Sequence, residues 1–118
     1  MPIMFSSKRF LTTIPLVMTL GFATVMPAAG QDTKKGLEVY TAQKCQVCHA
    51  IAGKGSKTNP LDGVGAKLSA DEIKNWITQP VEAAAKAKST KKPPMPAKYG
   101  TLPAADLDAL VAYMQSLK

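Results

Sequence analysis

Both cysteines and the only histidine of this chain fall within five consecutive positions, Cys45-Gln46-Val47-Cys48-His49. In this C-x-x-C-H pattern two thiols add to the two vinyl groups of a haem, and the imidazole that follows turns under the ring to bind iron. Other readings of the pair fit less well. Zinc normally takes four protein ligands in two separated pairs, and there is no second Cys or His cluster. A thioredoxin-like pair needs a preceding strand and a parallel sheet, and the sequence patterning shows neither. A structural disulfide in an oxidising compartment leaves His49 without a role. The motif therefore predicts one covalently bound haem c, attached through Cys45 and Cys48 with His49 as an axial ligand.

The N-terminus predicts where such a group would be attached. Lys8 and Arg9 precede an uncharged apolar run from Phe10 to Met26, followed by the small residues Ala28, Ala29 and Gly30. That is the layout of a secretory leader, with cleavage after Gly30, or alternatively after Ala28. The expected organisation is a leader over residues 1–30 and one domain over 31–118. A retained anchor fits poorly, because the run is short for a spanning helix and Pro15 interrupts it. No cysteine near the cleavage region offers a lipid attachment point. The expected location is the periplasm, with the protein soluble after processing.

Removing Lys8 and Arg9 lowers the formal charge from +7 to about +5. Export takes a basic protein away from nucleic acid and leaves acidic protein faces or a membrane surface as counterparts. Lysines also keep a small domain in solution, whatever it meets. The three phenylalanines all lie in the leader, so the domain keeps only Tyr40, Trp76, Tyr99 and Tyr113 as aromatics. A domain this small buries a modest fraction of its surface. A buried cofactor would add apolar mass to its interior.

The domain reads as all-α, because apolar residues recur at helical spacing and no useful length alternates at period two. Asp32 or Thr33 caps a first helix running to about Lys44, with Leu37, Val39 and Tyr40 as its apolar contacts. Gly36 inside it marks a close approach of another backbone. Residues 52–67, dense in Gly, Lys, Asn and Pro, read as a loop. Ser69 with Glu72 forms a capping-box pattern that opens a helix bearing Ile73, Trp76 and Ile77. Pro80 ends it and starts a short helix over 81–88. Three prolines and a glycine then break regular structure around Met95. The last helix starts near Pro103 and places Leu107, Leu110, Val111, Met114 and Leu117 on one side.

Over essentially the whole domain the chain resembles small bacterial class I cytochromes c. That resemblance implies four to five short helices wrapped around one covalently attached haem. It pairs Gly36 and Tyr40 of the first helix with Leu110 and Tyr113 of the last. It gives Pro60 the carbonyl that accepts the N–H of the His49 ring. Trp76 is the residue it implies as hydrogen-bond donor to a haem propionate. The soft donors for a second axial position are Met95 and Met114. Met114 belongs to the apolar stripe of the last helix, whereas Met95 lies in an irregular Lys-Pro-Pro-Met-Pro loop, and the resemblance implies Met95 as the ligand. The lysine-rich stretch 81–92 departs from the family pattern and bears on where that loop sits.

The function implied is one-electron transfer through an exposed haem edge, with no small-molecule substrate and no nucleic acid, hence no enzymatic activity. Lys86, Lys88, Lys91, Lys92 and Lys98 flank Met95 and suit a redox partner with an acidic docking face. A haem subunit of a membrane-bound dehydrogenase or oxidase complex is an alternative with the same site. A sensor or peroxidase-like enzyme with an open iron position is a third, against which Met95 argues.

Overall fold

The structure is a computed structural model that describes residues 29–118 together with Gly21. The leader expected over residues 1–30 lies outside the described residues apart from Gly21, Ala29 and Gly30. Among the described residues there are five α-helices: α1 Ala29–Ala42, α2 Val64–Lys67, α3 Ala70–Thr78, α4 Pro80–Lys86 and α5 Ala104–Ser116. Two 3-10 turns, Cys45–Val47 and Ala97–Thr101, flank the irregular segments. None of these helices is long and apolar enough to cross a membrane.

The core forms where α1, α3 and α5 meet. Val39 and Tyr40 of α1 pack with Ile73 and Ile77 of α3 and with Leu107, Leu110, Val111 and Met114 of α5. Gly36 sets the crossing of α1 and α5, since a Cβ there would overlap the carbonyl oxygen of Ala109 and the Cβ of Tyr113. One turn further along α1, the rings of Tyr40 and Tyr113 meet edge to face with centroids 6.0 Å apart, a favoured aromatic geometry. Lys35 and Asp106 form an ion pair at 3.2 Å across the same crossing. Leu37, expected among the apolar contacts, is 46% exposed. Gly36, Val39 and Tyr40 share one face at helical spacing, and Leu37 falls off it.

The limits of α1 differ from the expected ones. It begins at Ala29 rather than Asp32, and it stops at Ala42 because Lys44 adopts left-handed geometry, φ 56° and ψ 37°. A left-handed residue cannot continue a right-handed helix, and the chain turns directly into the 3-10 turn of the motif. At α3 the expected cap is present: Ser69 Oγ accepts from the Glu72 N–H at 3.2 Å, and Glu72 Oε2 accepts from the Ser69 N–H at 2.8 Å. Those bonds stabilise the ionised carboxylate and hold Glu72 below the usual range. Pro80 occupies the first position of α4, where its missing N–H costs nothing. Of the stretch 81–92, residues 81–86 are thus helix, followed by a turn in which Lys88 has φ 52° and then by irregular chain.

Residues 52–67, expected as a loop, are more ordered than that. Strands β1 His49–Ile51, β2 Lys54–Gly55 and β3 Asn59–Pro60 form a small sheet in the order β2-β1-β3. The β1–β2 pair is antiparallel, and its two-residue connection, Ala52 and Gly53, has φ of 50° and 78°. Positive φ at both central residues is the hairpin geometry that follows strand twist. The Ala52 N–H, bonded to Asp62 Oδ1 at 2.8 Å, helps hold alanine in that region. Helix α2 is docked on the end of α5 by the Gly65 N–H on the Leu117 carbonyl at 2.8 Å and by Lys118 Nζ on the Gly65 carbonyl at 2.9 Å.

Candidate functional site

The motif emerges from α1 as a tight turn, closed by the Cys48 N–H on the Cys45 carbonyl at 3.1 Å. Cys45 is half-buried and Cys48 exposed. Burial pushes the Cys45 thiol above its ordinary value, so it remains a neutral thiol near neutrality. His49 opens β1, which runs parallel to β3 with His49 abreast of Asn59. That register puts the Asn59 carbonyl 3.0 Å from His49 Nδ1. A carbonyl only accepts, so the ring proton is on Nδ1 and the lone pair on Nε2 is available to a metal.

Pro60 was expected to supply this carbonyl, and the structure gives it to Asn59 instead. The two residues occupy consecutive places on one strand, where successive carbonyls point to opposite sides. Pro60 pairs with Ala50 rather than His49. It does not line the cavity described next.

A cavity of about 620 Å³ opens between the motif, β3, α3, α5 and the Met95 loop. It falls within the range of roughly 300–1,000 Å³ usual for cofactor sites. Cys45, Cys48, His49, Trp76 and Met95 all line it, although they come from three separate segments of the chain. Its apolar walls include the core residues Ile73, Ile77 and Leu110, so cavity and core are continuous. Met114 also reaches it, while 5% exposed within the packing of α5. Met95 is half-buried and packs against the core from its proline-rich loop. Of the five flanking lysines, Lys91, Lys92 and Lys98 line the cavity, whereas Lys86 and Lys88 do not.

Sequence reasoning missed several lining residues, among them Asn59, Lys44 and Tyr40 as a cavity residue. Tyr40 is 6% exposed, and burial pushes its phenol up to about 12, with the neighbouring Cys45 adding to the shift. Asn59 could have been found only from its place beside Pro60, since nothing in its side chain signals the role. Among the described residues no three His, Cys, Asp or Glu side chains converge as a metal cluster. The available donors are therefore two thiols, one imidazole nitrogen and two thioethers around an apolar space, a set that fits a flat apolar ring carrying iron.

The Cytochrome c family model matches residues 33–118. The chain belongs to the cytochrome c family. Comparison with curated proteins and with solved structures finds no match. As a cytochrome c, the chain has a mostly helical fold in which the small sheet is a minor addition. Membership implies covalently attached haem c and, in general terms, haem-based electron transfer.

Proposed function

We propose that this cytochrome c carries a single haem and passes one electron at a time between periplasmic or membrane-bound redox proteins, its iron held by His49 and Met95. The observation that carries the reading is the convergence of Cys45, Cys48, His49 and Met95 on one apolar cavity. Cys45 and Cys48 anchor the group covalently, so an exported copy does not lose it by dilution. His49 presents Nε2, while the Asn59 carbonyl holds the Nδ1 proton, fixes the ring and makes it a stronger donor. Met95 supplies the thioether from a loop with no helical face to fill. Met114 is already committed to the core with Leu110 and Ile77. Bound to this pair, the haem supplies an iron couple whose potential a methionine raises relative to two nitrogen ligands.

Trp76 lines the same cavity, and its indole N–H has no hydrogen-bond acceptor among the described residues, which suits it to a propionate. Lys91, Lys92 and Lys98 stand at the cavity, and between Glu82 and Asp106 the sequence contains no acid. Such a field steers an acidic redox partner to the group. Residues 1–30 act as the export leader in this reading.

The test is the protein purified from a host with c-type haem maturation, examined by visible spectroscopy and by haem stain after a denaturing gel. Stain on the denatured band, with a long-red sulfur-to-iron absorption that Met95→Ala abolishes and Met114→Leu retains, is the expected result. A stained band lacking that absorption in the wild type overturns Met95 ligation. An unstained band overturns covalent attachment.

A further inference from the structure

The loop that carries Met95 is poorly tied down by its own backbone. Pro93, Pro94 and Pro96 have no N–H to donate. Among the described residues, no backbone-to-backbone hydrogen bond outside the helices and strands involves residues 90–95, and the one backbone contact there is local, the Lys91 N–H on Ser89 Oγ at 3.4 Å. Downstream the loop is braced, because the 3-10 turn Ala97–Thr101 brings Gly100 so close to α3 that a Cβ there would sit 3.1 Å from the Thr78 carbonyl. Upstream one long-range bond ties it to the segment before β3: Lys91 Nζ donates to the Thr58 carbonyl at 3.1 Å. Thr58 directly precedes Asn59, whose carbonyl orients His49.

We propose that Lys91 is a positioning residue, a clasp that fastens the Met95 loop to the loop orienting His49 and so keeps the thioether in place at the cavity. This inference rests on the reading of Met95 as a ligand. The clasp joins two segments 33 positions apart in sequence. Its ends lie four residues before Met95 and one before Asn59, so it couples the two sides of the site directly. Charge helps, since an ammonium on a carbonyl makes a stronger bond than a neutral donor does. Lys91 is exposed, and the bond competes with water, which puts its worth below the usual range for charge-assisted bonds and near that of a neutral one. Lys92, the next residue, has the same charge and also lines the cavity but makes no such bond among the described residues.

The experiment follows imidazole entering the oxidised holoprotein by stopped flow, alongside the long-red sulfur-to-iron band. Lys91→Gln is expected to speed entry roughly three- to tenfold, the loss of one exposed charge-assisted bond, and to weaken the band. Lys57→Gln, which removes the same charge beside Thr58 at a lysine that does not line the cavity, is expected to match the wild type, and Lys91→Arg to restore most of the effect by keeping a cationic donor. Equal acceleration in Lys91→Gln and Lys57→Gln would mean that charge alone matters and overturns the clasp, as does an unchanged rate in Lys91→Gln. A wild-type spectrum without the band is the separate failure of Met95 ligation, which takes the clasp with it. Thermal unfolding of each variant distinguishes a local loosening, with the midpoint preserved, from general destabilisation, which also counts against the proposal.

Discussion

At the scale of single residues, Cys45, Cys48, His49 and Met95 all line one cavity, and the candidacy of the first three was legible from side-chain type and spacing, that of Met95 from its proline-rich loop. Asn59 was not, because its contribution is a main-chain oxygen, and which carbonyl faces the imidazole depends on the register of β1 against β3. Tyr40 carries a prediction of its own. Its phenol is raised from an ordinary 10.0 to about 12, chiefly by burial, so the folded protein keeps this proton where the unfolded chain has released it. The stabilisation is complete below about pH 10 and is lost as pH rises toward 12. Denaturant unfolding at a series of pH values should show a stability decline over that window that is shallower in Tyr40→Phe. Parallel declines in the two proteins would mean that other groups govern alkaline unfolding. Tyr113, also raised by burial, contributes in the same direction.

At the scale of elements, the capping box at Ser69 was readable to the residue, since it depends on two side chains at fixed spacing. The end of α1 was not, because it follows from a left-handed lysine that propensity does not mark. The sheet was equally hidden, as strands of two or three residues are too short to show a period. The crossing of α1 and α5 shows how such weights compete. Gly36→Ala gains about 1 kcal/mol of helix propensity, yet its Cβ meets the Ala109 carbonyl, a main-chain atom that cannot rotate away. Overpacking of this kind costs about 1–3 kcal/mol or more, and the main-chain partner puts this case in the upper part of that range, so the penalty wins. A net loss of about 1–2 kcal/mol is expected, read as a lowered denaturant midpoint with unchanged slope. A rise in the midpoint would show that the helices separate freely. Gly65, under the Gln115 carbonyl, was not anticipated from sequence because its close approach involves the far end of the chain.

For the whole molecule, the clustering of Lys91, Lys92 and Lys98 at the cavity predicts a directional field. Raising ionic strength from about 0.01 to 1 M shortens the Debye length from about 30 to 3 Å. The rate of oxidation by ferricyanide, an anion, should fall several-fold over that range, while oxidation by the cationic cobalt tris-phenanthroline complex should rise. Matching flat responses would leave the lysines as solubilising residues. The helical class of the domain was legible because the apolar spacing of α1, α3 and α5 is local, whereas the continuity of core and cavity was not, since it arises only when segments distant in sequence meet. That continuity reaches beyond electron transfer. No described side chain falls below 2% exposure, and the walls of the cavity include Tyr40, Ile73, Ile77, Leu110 and Met114, which also hold the helices together. A ligand that binds only the folded state stabilises it, and one attached through thioethers cannot leave. Copies that miss attachment are expected to open more often and to meet proteases in that open state. The expected consequence is that the lifetime of each copy reports whether it was loaded, which a pulse-chase of wild type against Cys45→Ala checks: equal lifetimes overturn it.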